Sequence, residues 1–240
     1  MKIVKDGALT IPLYHGTTGL FINSIEQHGL GSLDPLIALE AKDFMRDLFQ
    51  FAEENCEHDQ AWLNIRQRIT PFVRQTKVEG LANFRHGGTY LAAFPEVATK
   101  YATENPSGSE YLTYLHILVR YLAAKGIRGF SDRFLGRPAL EIWRERHDPY
   151  LITLENVNLN DLETETGHTL FDHIIEIEKL MSDGMCGPHA FKLKRAIPAE
   201  RLSIAKLGSY EQRTGDSFVD TSAERPTHSC ARLTYGEPVN

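Results

Sequence analysis

Residues Ile11 to Leu30, Ile-Pro-Leu-Tyr-His-Gly-Thr-Thr-Gly-Leu-Phe-Ile-Asn-Ser-Ile-Glu-Gln-His-Gly-Leu, constrain the fold more than any other stretch of the chain. Ile11, Leu13 and Tyr14 make a short apolar run suited to a buried strand, with Pro12 pushing it toward a sheet edge or a first position. His15, Gly16, Thr17 and Thr18 are expected to interrupt that strand, leaving one imidazole at its end and a glycine that lets another group close on the backbone. Leu20, Ile22, Ile25 and Leu30, with Ser24 and Glu26 between them, predict a short helix closed by Gly29. Such an arrangement either builds a ligand site or leaves His15 an ordinary hydrogen-bonded histidine in a turn.

The chain has 240 residues, 42% hydrophobic and 24% charged, enough for one substantial core carrying insertions. It contains no apolar run of membrane-span length, and its start, Met-Lys-Ile-Val-Lys-Asp-Gly, lacks the apolar core of a signal peptide, so a cytoplasmic location is expected. Cys56, Cys186 and Cys230 are odd in number, far apart and without CxxC spacing, which fits reduced thiols. Cys186, in Gly-Met-Cys-Gly, has no signature of a nucleophile around it and reads as a small packed thiol. A net charge of −6 excludes a uniformly nucleic-acid-attracting surface but not a local basic patch.

Leu33 to Phe84 reads as helical. Eight acidic residues between Asp34 and Asp59 face only Lys42 and Arg46. Phe44, Leu48, Phe51 and Ala52 form one apolar stripe, and a second helix from about Gln60 to Arg74 turns Trp62, Ile65, Ile69 and Phe72 inward. After this segment, Arg85-His86-Gly87-Gly88-Thr89-Tyr90-Leu91-Ala92 runs into a strand, and Pro95 starts a helix with Val97, Ala98 and Tyr101 on its inner face.

The Tyr14-His15-Gly16-Thr17 stretch, with its helix and His28-Gly29-Leu30, resembles the first motif of the ADP-ribosyltransferase superfamily, in the branch that places a histidine and a tyrosine on NAD. The Gly88-Thr89-Tyr90 strand and its Pro-initiated helix resemble the second motif of the poly(ADP-ribose) polymerase and diphtheria-toxin branch, with Tyr101 eleven positions after Tyr90. The resemblance implies an α+β domain over residues 1–208, two small antiparallel sheets split around an NAD cleft, with helical insertions at about 33–84 and 111–147 and a loose tail over 209–240. It implies NAD as co-substrate, bound by His15, Gly16, Thr17, Tyr90 and Tyr101. His15 would hydrogen-bond a ribose hydroxyl, Gly16 would offer its N–H and C=O to the carboxamide, and the two tyrosines would stack on the nicotinamide.

Tyr111 to Tyr121 suits a strand or a helix; Leu, Ala and Lys content and the closing Gly126 favour a helix through Lys125. Arg120 to Arg146 holds seven basic residues against three acidic ones, either a mixed solvated surface or an anion-facing patch. Asp148 to Val157 reads as a strand, and Leu170, Phe171, Ile174, Ile175 and Ile177 as the stripe of a later helix. His168 and His173 are five apart, wrong for one helical face, so no metal site is expected. Gly187 to Arg195 is a last strand, and Ile197 to Leu202 leads into an edge segment.

Members of the superfamily often carry a glutamate at the start of that late strand. Here His189 stands there and is expected as the third catalytic residue with His15 and Tyr90, Glu176 and Glu178 being the acidic alternatives upstream. The activity implied is mono-ADP-ribosyl transfer to a macromolecule, as in a toxin or phage-conflict effector countered by an antitoxin or inhibitor protein. RNA or DNA is favoured as acceptor, because no Glu-x-Glu opens the last strand and Lys192, Lys194 and Arg195 join the basic stretch. A protein acceptor, or an inactive module that binds NAD or ADP-ribose, are the alternatives.

Overall fold

Leu13–Thr18 is one unbroken strand (β3), not a strand stopped at His15. It pairs along its whole length with the strand Pro149–Leu154 (β5), from Leu13 opposite Leu154 to Thr18 opposite Pro149. A full ladder outweighs the poor strand propensity of Gly16. Pro12 lies just outside the strand, where its missing N–H removes no ladder bond, and β3 is therefore central rather than an edge.

The computed structural model describes residues 2–74, 88–143, 147–164 and 169–208. A hairpin of Val4–Lys5 (β1) and Ala8–Leu9 (β2) turns on Asp6 and Gly7, both at positive φ, and precedes β3. Beyond these come Tyr90–Ala92 (β4), Leu162–Thr164 (β6), Ala190–Leu193 (β7) and Leu202–Lys206 (β8). The sheet order is β6-β7-β4-β3-β5-β8, every neighbour antiparallel, which with the separate helices makes the class α+β.

This sheet is joined at its middle by a single residue pair. β3 meets β4 only at Tyr14 opposite Ala92, whereas β4 pairs with β7 at three positions and β3 with β5 at six. The halves β6-β7-β4 and β3-β5-β8 therefore splay apart on one side of that pair, from Tyr14 toward Thr18 and from Ala92 back toward Gly88.

The helix Pro95–Glu104 (α5) lies on one face of the sheet, packing Ala98 with Ala92 and Leu151. Gly19–His28 (α1) and Leu170–Ser182 (α9) cover the other, where Ile22, Ile25, Ile174 and Ile177 share a core with Leu13, Leu91, Ile152 and Phe191. Gly29 closes α1 at φ 85° as its position predicts. The stripe expected on α9 is rotated: Phe171 and Ile175 are exposed, and His173 takes a buried place between them.

The two helical insertions form one module. Pro35–Ala38 (α2), Ala41–Cys56 (α3) and Gln60–Arg74 (α4) share a second core with Glu110–Lys125 (α6), Phe130–Phe134 (α7) and Pro138–Glu141 (α8). Phe44, Leu48, Trp62 and Phe72 are buried against Tyr111, Leu115, Leu118 and Leu122. Segments far apart in sequence thus bury each other's apolar stripe, which neither could do alone. Their charges match as well: Arg137 meets Asp47 and Glu40, and Lys125 meets Asp59. The segment α6 is helical as its composition predicts, capped by Ser109, whose hydroxyl accepts from the Leu112 N–H at 3.1 Å, and closed by Gly126 at φ 61°.

The candidate functional site

The splay between β3 and β4 opens a cleft of about 860 Å³, lined on one side by His15, Gly16 and Thr17 and on the other by Gly88, Thr89 and Tyr90. Residues of α1, α5 and the start of α6 complete its walls, among them Phe21, Tyr101 and Glu110.

His15 spans the opening. Its Nδ1 lies 2.9 Å from the Tyr90 carbonyl oxygen, and since a carbonyl only accepts, Nδ1 carries the proton. In the neutral ring this leaves Nε2 with a lone pair to accept from a ligand hydroxyl. Burial, the largest influence, lowers the His15 pKa, partly offset by the bond to Tyr90, so the ring is neutral at pH 7.

Gly16 serves two neighbours. A Cβ there would lie 1.9 Å from the Ala98 carbonyl oxygen, so the group that closes on this glycine is the backbone of α5. Its own polar atoms face elsewhere. The Gly19 N–H donates to the Asp148 carbonyl at 2.8 Å, and Pro149 has no N–H, so odd-numbered residues of β3 turn their backbone groups to β5 and even-numbered ones toward β4. With β4 gone beyond Tyr14, the N–H and C=O of Gly16 face the cleft.

Tyr90 and Tyr101 both line the cleft. Tyr101 is 38% exposed, yet its hydroxyl accepts from the Glu110 N–H at the start of α6 at 3.3 Å, and burial of that end pushes the phenol up to about 12. Tyr101 thus lines the cleft with its hydroxyl tied to the start of α6, and a tyrosine ring is a group on which a flat ligand can stack.

An acid that sequence reading passed over also stands on the cleft wall. Tyr90, Lys192 and Glu163 are successive ladder partners across β4, β7 and β6, so their side chains share one face. Lys192 Nζ donates to Glu163 Oε1 at 2.6 Å, and the lysine stem runs over Gly88, where a Cβ would meet it at 2.6 Å. Only the pairing of β6 with β7, invisible in the order of the chain, could have singled out Glu163 from its acidic neighbours.

His189 does not join this site. It opens β7 level with Ala93, whose N–H donates to its carbonyl at 3.1 Å, beyond the closed end of the splay. The pleat then sends its ring to the same face as Phe191, against α9, while Ala190 and Lys192 take the cleft face. The upstream acids are elsewhere too: Glu178 accepts from the Ile3 N–H at 2.8 Å, and Glu176 lies 3.7 Å from His189 Nδ1. His168 lies outside the described residues, as do Arg85 to Gly87, the end of the first insertion, Arg144 to Arg146, Cys230 and the 209–240 tail.

Of the basic groups, Lys192, Lys194 and Arg195 line the cleft, Arg195 Nε meeting Asp161 at 2.5 Å. The Arg120 to Arg146 stretch does not reach it among the described residues. Lys125 and Arg137 are held by the acids of α3 and its flanks, and Arg133 lies over the rings of Phe51 and Phe134. Searches against protein-family models, curated proteins and solved structures return no match for this chain.

Proposed function

We propose that the chain binds NAD in the β3–β4 cleft and transfers ADP-ribose from it to a macromolecule. The observation that carries this reading is the His15–Tyr90 bond across the splay: one neutral imidazole, its Nε2 left as acceptor, stands beside the outward backbone of Gly16 and the rings of Tyr90 and Tyr101. These groups suit the pieces of NAD. A carboxamide needs one donor and one acceptor, which a free strand edge at Gly16 offers. A ribose hydroxyl donates to the His15 ring, and two tyrosine faces add about 1 kcal/mol per stacked pair beyond burial.

Cleavage from nicotinamide leaves positive charge on the ribose. Glu163, half-exposed on the wall and oriented by Lys192, is the acid this chain offers to that charge, the role expected of His189. Wild-type protein is expected to release nicotinamide, and His15→Ala and Tyr90→Ala to lose that release; variants as fast as wild type would contradict the reading.

Lys194 on the same wall, beside Lys192 and Arg195 in their pairs with Glu163 and Asp161, favours RNA or DNA as acceptor. Labelled NAD added to lysate, followed by separate nuclease and protease digestion, decides it: label removed by protease and not by nuclease makes the acceptor a protein. A second reading, an NAD-binding module without turnover, is favoured by the absence of an acid on the cleft face of β7 and by the pairing of Glu163 with Lys192. Calorimetric NAD binding with no nicotinamide release over a broad acceptor panel would select it.

A further inference from the structure

His173 and Glu176 are three apart on α9 and so project from one side of the helix, and the start of β7 brings His189 against them. Each offers a ligand atom, and these atoms lie within 4.8 Å of one another. The His173 and His189 rings are 5.1 Å apart between centroids, and His189 Nδ1 is 3.7 Å from Glu176 Oε2. Ligands about 2.0–2.2 Å from a tetrahedral zinc stand roughly 3.3–3.5 Å from each other, so a small rotation about the side-chain bonds closes this triad on an ion. We propose that His173, Glu176 and His189 form a zinc site that clips α9 to the start of β7, outside the lining of the cleft.

Three details of the local structure favour this. His173 takes an inward position on a helix whose other inward residues are Ile174 and Ile177, and it stands edge-on to Phe191 at 4.9 Å. Gly187 leaves room for the His189 imidazole: a Cβ there would meet His189 Cδ2 at 3.1 Å and Leu180 Cδ1 at 2.9 Å. Glu176 is 54% exposed at its side chain, so an ion held there keeps solvent access for a water as fourth ligand. Two imidazoles and one carboxylate select zinc over magnesium or calcium, which take oxygen donors.

The test is calorimetric titration of tag-free, chelator-treated full chain with zinc chloride, alongside magnesium and calcium chlorides. The expected result is one zinc per chain, a raised melting temperature with zinc, and no response to the other two ions. His189→Ala and the solvent-side Glu176→Gln should each weaken zinc binding by more than the roughly 10–100-fold lost when only an outer-shell partner of a metal ligand is removed. Both variants should keep the wild-type circular dichroism spectrum. Absence of stoichiometric binding, or zinc binding unchanged in both variants, overturns the site. NAD affinity measured with and without chelator is expected to be equal, which keeps the outcome separate from that of the cleft.

Discussion

The His15 ring, carried by one half of the sheet, donates to the Tyr90 carbonyl, carried by the other, at 2.9 Å. Two half-sheets that share one ladder pair are thus tied a second time, by a side chain, at the mouth of the cleft. Anything that charges or removes that ring acts on fold and site together.

Stability should therefore depend on pH through His15. Its pKa in the folded chain is lowered from the ordinary 6.5, so below that value the unfolded chain binds more protons. The His15 contribution is complete above about 6.5 and is lost as pH falls toward the lowered folded value. Urea midpoints measured from pH 8 to pH 5 should drop less steeply in His15→Gln than in wild type. His116 and His189, lowered by burial in the same direction, leave a residual slope in the variant.

Gly16→Ala should destabilise by about 1–3 kcal/mol or more, because the added carbon meets the Ala98 carbonyl oxygen at 1.9 Å. The obstructing atom is backbone, so Ala98→Gly in the same chain should give no rescue. Chemical denaturation of the single and double variants checks both statements.

Glu163→Gln separates a role in stability from a role in the cleft. The Glu163–Lys192 pair is half-exposed, and exposed pairs contribute about 0–1 kcal/mol, so the melting temperature should barely move. Nicotinamide release should fall by about 100-fold or more, the effect of removing a charge-stabilising group from a transition state. An unchanged release rate would remove Glu163 from the proposed mechanism.

Charge reversals distinguish the two basic regions. Lys194→Glu, on the cleft wall, should weaken transfer to a nucleic-acid acceptor and reduce its salt dependence. Arg128→Glu, outside the cleft, should leave labelling unchanged. Labelling rates at several salt concentrations read both.

Several elements are legible in the sequence because their signals are local. Gly29 and Gly126 end helices at positive φ, which other residues rarely adopt, and the bounds of α4 follow from Trp62, Ile69 and Phe72 recurring at helical spacing. The candidate residues His15, Gly16, Thr17, Tyr90 and Tyr101 all line one cleft, a juxtaposition that strand pairing and the packing of α5 bring about. The split of the sheet was anticipated as two sheets, and the structure keeps them joined at Tyr14 and Ala92.

What the tertiary structure alone decided was which partner each residue meets. Strand pairing put Glu163 beside Lys192, 29 positions apart in the chain, and turned His189 away from the cleft and toward His173. It likewise set the acids around α3 against Lys125 and Arg137, so that these two cations hold helices together rather than facing the cleft. Periodicity along a chain reports which residues share a face of their own element. The register between strands, and the neighbour that each face then meets, are fixed by the packing of the whole chain, and chemistry between distant side chains depends on both.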